Sequence, residues 1–380
     1  MKKTAILLLS ILSISGLFAQ NSTYKVSGHL EGLEAKTASI LQWNGEGTNY
    51  HDVTVTDGNK ILYEGECSFP MMVRIGHDDE KVLKKTGRGY YPTKTMFIWA
   101  VATPGETVTI NGKITDFVDS YSNSNAENKA LYRIHKEVFP LMNEALNLRL
   151  KVELDNTISE DEKKNILKKS GELSDQALTI QKRLIKEDPS SIAALWYLDD
   201  MLIRSQITPD EVEAIMKKVA PKYHNHPYYN TVKTKVEGAK GAVVGNIVPD
   251  VVSNLTPDGS TFDLKSLRGK FVIIDFWGSW CNPCMMGMPK MREYRDRYKD
   301  KLQVVGIAND RNMNVWKSTI ESANLNWPHI FSGKDELDFV AKFNVAGYPT
   351  KLIIGPDGKI LYRGSGESAD FYTKLEEFLK

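Results

Sequence analysis

Cysteine is scarce: 380 residues hold only Cys67, Cys281 and Cys284. Three cysteines cannot form the disulfide framework of a small secreted scaffold, and a chain this long can bury a core without one. Excess charge of one sign is also missing. With 49 basic and 48 acidic residues the formal charge is +1, so no global field draws the chain to nucleic acid or an anionic membrane; such binding needs a local patch. Beyond the first twenty residues no apolar run approaches the ~20 residues of a membrane-spanning helix. What remains is 41% apolar and 26% charged, ordinary globular composition that excludes a wholly disordered or collagen-like chain. The length allows two to three domains.

The first twenty residues read as an address. Lys2 and Lys3 precede an apolar run from Ala5 to Phe18, and Ala19 follows it. A basic start, a short apolar stretch and a small residue at its end form a secretory signal. The expected cut follows Ala19, which places the mature protein in the periplasm or cell envelope; an uncleaved membrane anchor is the alternative.

Three compositional zones follow. Residues 20–120 are rich in Val, Ile, Thr, Tyr and Gly. Val53–Thr56 alternates, Asp57-Gly58-Asn59 turns, and Lys60–Phe69 continues as a partner strand, with similar runs at Tyr24–Leu30, Ala38–Trp43, Met71–Ile75, Met96–Ala102 and Glu106–Ile110. Short strands with frequent turn signals predict an antiparallel β-sandwich. Cys67 stands alone beside Phe69 and reads as a small buried hydrophobe. Residues 121–240 are helical. Leu131, Ile134, Val138, Leu141, Ala145, Leu148 and Val152 make a heptad seam, to which Ile166, Leu173, Ala177, Ile180 and Leu184 offer a partner. The seam predicts an intramolecular hairpin, with homodimerisation as the alternative. Pro140 should kink or split the first helix. Between Glu127 and Asp188 there are 12 basic and 12 acidic residues, the balance of solvated helix faces and not of a nucleic-acid surface. His224 and His226 have no nearby third ligand, so no metal is assigned.

Residues 241–380 carry the chemistry. Apolar strands at Phe271–Trp277, Leu302–Ile307, Lys351–Ile354 and Ile360–Arg363 alternate with helical stretches, which predicts a mixed sheet covered on both faces. Between the first strand and its helix lies Trp280-Cys281-Asn282-Pro283-Cys284. As half of a zinc site the pair lacks two further ligands. As a structural disulfide it closes too small a loop to stabilise much. As a redox pair it is well placed, because the first thiolate would face a helix N-terminus and its partial positive charge.

Asp275-Phe276-Trp277, the Cys281-x-Pro283-Cys284 motif, Pro289 and Gly347-Tyr348-Pro349-Thr350 resemble the thioredoxin fold. Val304–Ile307, Trp316, Asn326-Trp327-Pro328 and the lead-in Gly245–Gly269 are similar to its exported TlpA/ResA branch. The 65 positions from Cys284 to Pro349 match that branch's inserted helix and strand. The resemblance implies an α/β thioredoxin-like domain in which Cys281 attacks and Cys284 resolves. It implies a cis Pro349 against the disulfide, with Tyr348 and Trp280 on the substrate side. ResA-like reductases carry a glutamate three residues after the second cysteine, where this chain has Gly287. Asp275 instead matches the buried acid of thioredoxin itself, which implies a proton relay of that kind; a purely structural acid is the alternative.

The function expected is thus an exported thiol-disulfide oxidoreductase that reduces disulfides in envelope proteins. It needs no cofactor of its own and draws electrons from a membrane partner, since no nicotinamide or flavin motif is present. Peroxidase chemistry fits poorly, because the Thr-x-x-Cys pattern is absent. The alternative is a soft-metal, Cu(I)-binding protein or thiol chaperone using the same cysteines with Met288 and Met291; the methionines could equally pack a core.

Overall fold

The computed structural model describes residues 22–43, 48–87 and 89–380. The signal segment expected at residues 1–19 lies outside them. The chain divides into two compact units, the first ending at Ser170 and the second spanning Gly171–Lys380.

Among its described residues the first unit is built on ten strands: β1 (Ser22–Glu31), β2 (Ala38–Trp43), β3 (Thr48–Thr56), β4 (Lys60–Cys67), β5 (Met71–His77), β6 (Lys85–Thr86), β7 (Gly89–Tyr90), β8 (Ile98–Ala102), β9 (Thr107–Ile114) and β10 (Val118–Tyr121). Eight of them form one sheet in the order β10-β9-β1-β4-β3-β2-β5-β8. This corrects the expected antiparallel β-sandwich in two respects: the strands are one continuous sheet and not two, and β1 pairs with β9 in parallel. The reason is β1, whose ten residues are long enough to take β4 along one edge and β9 along the other. The sheet curls until its edge strands β8 and β10 come into contact. Alternating residues such as Tyr24, Val26, Ile40, Ile61, Val108 and Ile110 are then buried on a single inner face.

Helix α1 (Ala126–Leu154) begins at an Asn125 cap and packs on β8 and β10. Asn128 accepts the Val101 N–H at 2.9 Å and donates to the Val101 carbonyl at 2.8 Å, so one buried amide completes the ladder of edge strand β8. Pro140 does not split α1, which runs unbroken through it. A mid-helix proline costs about 3 kcal/mol, and burial of Leu131, Ile134, Val138, Phe139 and Leu146 on both sides of it offsets that cost. Helix α2 (Glu160–Glu187) starts at Ser159, whose hydroxyl accepts the Glu162 N–H, and its Ser170 hydroxyl donates to the Ala145 carbonyl of α1 at 2.7 Å. The heptad seam therefore has a partner within the same chain at that point.

The second unit continues with α3 (Ile192–Ile203), α4 (Pro209–Met216) and α5 (Pro227–Gly241), the short pair β11 (Val252–Ser253) and β12 (Phe262–Asp263), then β13 (Phe271–Trp277), α6 (Asn282–Arg297), β14 (Leu302–Ala308), α7 (Met313–Ser322), β15 (His329–Phe331), α8 (Phe339–Lys342), β16 (Thr350–Ile354), β17 (Ile360–Ser365) and α9 (Ala369–Leu379). Thr208 and Glu211 form the full capping box of α4. His226 caps α5 and His224 bonds the Val219 carbonyl; among the described residues no cluster of metal-ligating side chains exists. The compositional boundary at 240/241 marks the end of α5, yet packing crosses it. Gly238 passes so close to α8 that a Cβ would stand 2.3 Å from the Lys342 carbonyl oxygen, and α5 packs on α8.

The five-stranded sheet runs β15-β14-β13-β16-β17, with β13, β14 and β15 parallel and β16 and β17 antiparallel to their neighbours. Alternation along β13 sends Ile273 and Trp277 to one apolar cluster, shared with α6, α7 and α9. Val272, Ile274 and Phe276 enter another cluster, with Leu264, Phe339 and Phe343. The sheet is covered on both faces, as expected of a thioredoxin-like domain. Among the described residues no helix is long and apolar enough to cross a membrane.

Candidate active site

Cys281 and Cys284 are joined in a disulfide where β13 gives way to α6. Cys281 is the N-cap of α6, and its Sγ accepts the Cys284 N–H at 3.3 Å. A sulfur in that position takes one of the helix's orphan donors and lies at the positive end of its dipole, which favours a thiolate. Pro283 sits in the first turn, where its missing N–H costs nothing. The two cysteines are 4% and 2% exposed, so accessibility does not separate them in this disulfide form; their places on the helix do.

The loop before Cys281 is held from below. Asp310, just past β14, accepts the Ser279 N–H at 2.7 Å and its hydroxyl at 2.9 Å. Beside it Trp280 donates Nε1–H to the Asn309 carbonyl at 2.9 Å and stands edge-on to Tyr348, centroids 5.2 Å apart. Asn309 also donates to the Tyr348 hydroxyl at 2.9 Å, which burial pushes up to about 12. The Tyr348–Pro349 peptide bond is cis, and the Trp280–Tyr348 contact brings that segment alongside the cysteine loop. Trp280 is half exposed and Met286 is 73% exposed, an apolar rim at an otherwise buried disulfide.

Asp275 is 3% exposed. It lies between Ile273 and Trp277 on β13, and alternation turns it to the sheet face that packs against Cys281 and Cys284. Its Oδ1 is buried without a hydrogen-bond partner. Burial pushes this carboxyl up to about 6; Lys351 opposes the shift and Glu367 adds to it. Lys351, opposite Asp275 in the β13–β16 register, is 2% exposed and pairs with Glu367. Glu367 in turn accepts from the Tyr372 hydroxyl at 3.0 Å and presses against Gly287. Met288 and Met291 are buried in the cluster that holds the cysteines, whereas Met286 faces solvent.

The structure thus brings Cys281, Cys284, Asp275, Trp280 and Tyr348-Pro349 to one end of the sheet. Sequence reasoning missed Asn309, Asp310, Lys351 and Glu367. Lys351 had a signal, a lone charge inside the apolar run Lys351–Ile354. Glu367 had none, because Lys351 and Gly287 lie 16 and 80 positions away and only Tyr372, five positions on, is near it in sequence.

A thioredoxin-like family model matches residues 269–360. The thiol-disulfide oxidoreductase ResA of Bacillus thuringiensis subsp. konkukian is 31% identical over 154 residues, 40% of this chain and 82% of that protein. The chain belongs to the ResA-like thiol-disulfide oxidoreductases. Thioredoxin-like protein YneN of Bacillus subtilis is 30% identical over 153 residues, 39% of this chain and 88% of that relative. A solved thioredoxin domain of a thiol-disulfide oxidoreductase from Bacteroides vulgatus is 26% identical, covers 36% of this chain and 99% of its own, and superposes with a TM-score of 0.34. ResA-like membership assigns protein thiol-disulfide oxidoreductase activity to the cysteine-bearing end of the chain. These matches cover about two fifths of this protein.

Proposed function

We propose that Cys281 and Cys284 are the redox pair of an exported reductase of protein disulfides. The carrying observation is their bond across the first turn of α6, on the sheet face that also holds the buried Asp275. In the reduced enzyme the Cys281 thiolate, favoured by the α6 N-terminus and the Cys284 N–H, attacks one sulfur of a substrate disulfide. The substrate's other sulfur leaves as a thiolate. Cys284 then gives its proton to Asp275 and attacks Cys281, which restores the disulfide and frees the reduced substrate. Trp280, Tyr348 and Pro349 form the surface on which the substrate peptide lies, with Met286 adding an adaptable apolar contact.

Reduction as the working direction rests on the likeness to ResA. The electrons come from a dithiol partner at the membrane, since no nicotinamide or flavin motif occurs in the chain. Export rests on Lys2, Lys3 and the apolar run to Phe18, with cleavage after Ala19 and work in the periplasm or envelope. Residues 20–120 and 121–240 serve to recruit a partner or to pair two chains.

Cys284→Ser should accumulate a mixed disulfide with substrate and Cys281→Ser should be inert, because only the second thiol can resolve the intermediate. Trapping by the Cys281 variant instead reverses the assignment. A reduction potential near about −270 mV supports a reductase, and one near about −120 mV makes the protein an oxidant.

A further inference from the structure

Gly287 lies on α6 three residues after Cys284, and the space its missing side chain leaves is filled from elsewhere in the chain. A Cβ at this position would stand 2.4 Å from Glu367 Oε2 and 2.6 Å from its Cδ. Glu367 arrives on the turn after β17, where the Gly366 N–H donates to the Pro349 carbonyl at 2.7 Å. The turn is therefore anchored to the cis-proline segment of the active site. From it the carboxylate pairs with Lys351 Nζ and accepts from Tyr372. Lys351 is opposite Asp275 across β13 and β16, and strand alternation puts both on the face that Cys284 covers. A cation as deeply buried as Lys351 is costly unless paired. Glu367 supplies the pairing charge.

Resting on the redox reading of Cys281 and Cys284, we propose that Glu367 is a positioning residue of that site: seated in the space left by Gly287, its carboxylate holds the Lys351 ammonium beside Asp275 and so governs proton transfer from Cys284 to Asp275. In the step concerned the Cys284 thiol loses its proton to the Asp275 carboxylate and its sulfur attacks Cys281 Sγ. The Cys281–Cys284 bond forms, the Cys281–substrate bond breaks, and the substrate sulfur leaves as a thiolate. Two protein thiols are oxidised for each substrate disulfide reduced.

The groups that face Asp275 come from every element around it. They are Lys351 on β16, Glu367 after β17 and Tyr372 on α9, each in electrostatic reach of Asp275, with Cys284 of α6 on the same sheet face; beyond them Tyr294 and Lys290 of α6 pack on Tyr372, Lys290 Nζ 4.1 Å above its ring. Burial drives the Tyr372 phenol well above its ordinary range and Tyr294 up to about 12, so both stay neutral between pH 5 and 9. With Glu367 in place the lysine's pull on Asp275 is opposed, and burial dominates. With Glu367 neutral, Lys351 faces Asp275 alone. Asp275 then holds its negative charge to lower pH and is the weaker base.

The chromogenic disulfide DTNB separates the two steps in one trace. Attack by Cys281 releases one thionitrobenzoate and resolution by Cys284 releases the second. The reduced full-length chain is followed from pH 5 to 9. Glu367→Gln should move the acidic limb of the second phase down by about one pH unit and slow its plateau about threefold, with the first phase unchanged. Gly287→Ala alters no charge and suits a helix, but its methyl displaces the carboxylate; it should reproduce the shift, and the double variant should add nothing further. A constant loss of rate at every pH with an unmoved profile would make Glu367 merely structural and overturn the proposal. So would a Gly287→Ala profile that superposes on wild type. If wild type releases a single thionitrobenzoate, the redox-pair reading itself fails and this role falls with it.

Discussion

Replacing Asp275 by Asn removes a titrating group that the fold holds in an unfavourable state. Burial raises this carboxyl from 3.8 to about 6, and its Oδ1 has no donor to compensate. Below about pH 4 the group is protonated in both folded and unfolded chains, and nothing is lost. Between about pH 4 and 6 the unfolded chain releases the proton while the folded one keeps it, so stability falls as pH rises. Above about pH 6 both are ionised and the deficit is constant. A shift of roughly two units at ~1.4 kcal/mol each gives about 3 kcal/mol. Wild type should therefore lose about 3 kcal/mol relative to Asp275→Asn between pH 4 and pH 7. The variant, neutral throughout, should be the more stable protein at neutral pH. Guanidinium unfolding of the oxidised chain, followed by tryptophan fluorescence at each pH, measures the difference. A stability gap between the two proteins that stays the same across that range refutes the reasoning, because it leaves Asp275 ionising alike in both states. On the proposed relay the same substitution also takes away the proton acceptor for Cys284, so the second thionitrobenzoate phase should slow about 100-fold at pH 7.5.

Three further outcomes follow from other contacts. Asn128→Ala should cost about 3 kcal/mol, since it leaves the buried N–H and C=O of Val101 unpaired; an unchanged melting temperature would count against the edge-capping role. Trp280→Ala should lower kcat/KM for a folded protein disulfide about tenfold while leaving DTNB reduction nearly intact, because its exposed ring belongs to the proposed substrate surface; equal losses on both substrates would place it in the chemistry. A fragment beginning at Gly241 should keep DTNB activity but melt below one beginning at Ser191, because it strips α5 from α8; identical melting temperatures would show that α5 contributes nothing to the domain.

Much of the C-terminal region is legible from residue order because its signals are local. The apolar run Phe271–Trp277, the Cys281-Asn282-Pro283-Cys284 turn and the helix after it are contiguous. Proline in the first turn is a choice that a helix start makes by itself. The capping box at Thr208 and Glu211 is of the same kind, complete within four residues. Alternation along β13 and a lone acid in an apolar strand already mark Asp275, since period two fixes which residues share a face.

What residue order left open was pairing at a distance. Tyr24–Leu30 reads as a strand, but nothing in it states that β9 joins it in parallel more than 80 positions later, and that one pairing turns a supposed sandwich into a single curled sheet. Pro140 reads as a break because the local cost is visible and the burial that offsets it is not. Glu367 is the clearest case. Its charge reads as an ordinary surface residue of a turn, and Gly287 reads as a weak point in a helix. Only the fold brings the carboxylate into that gap, against a buried lysine from a third element, because which charges meet at a site depends on the packing of distant segments and not on their order along the chain.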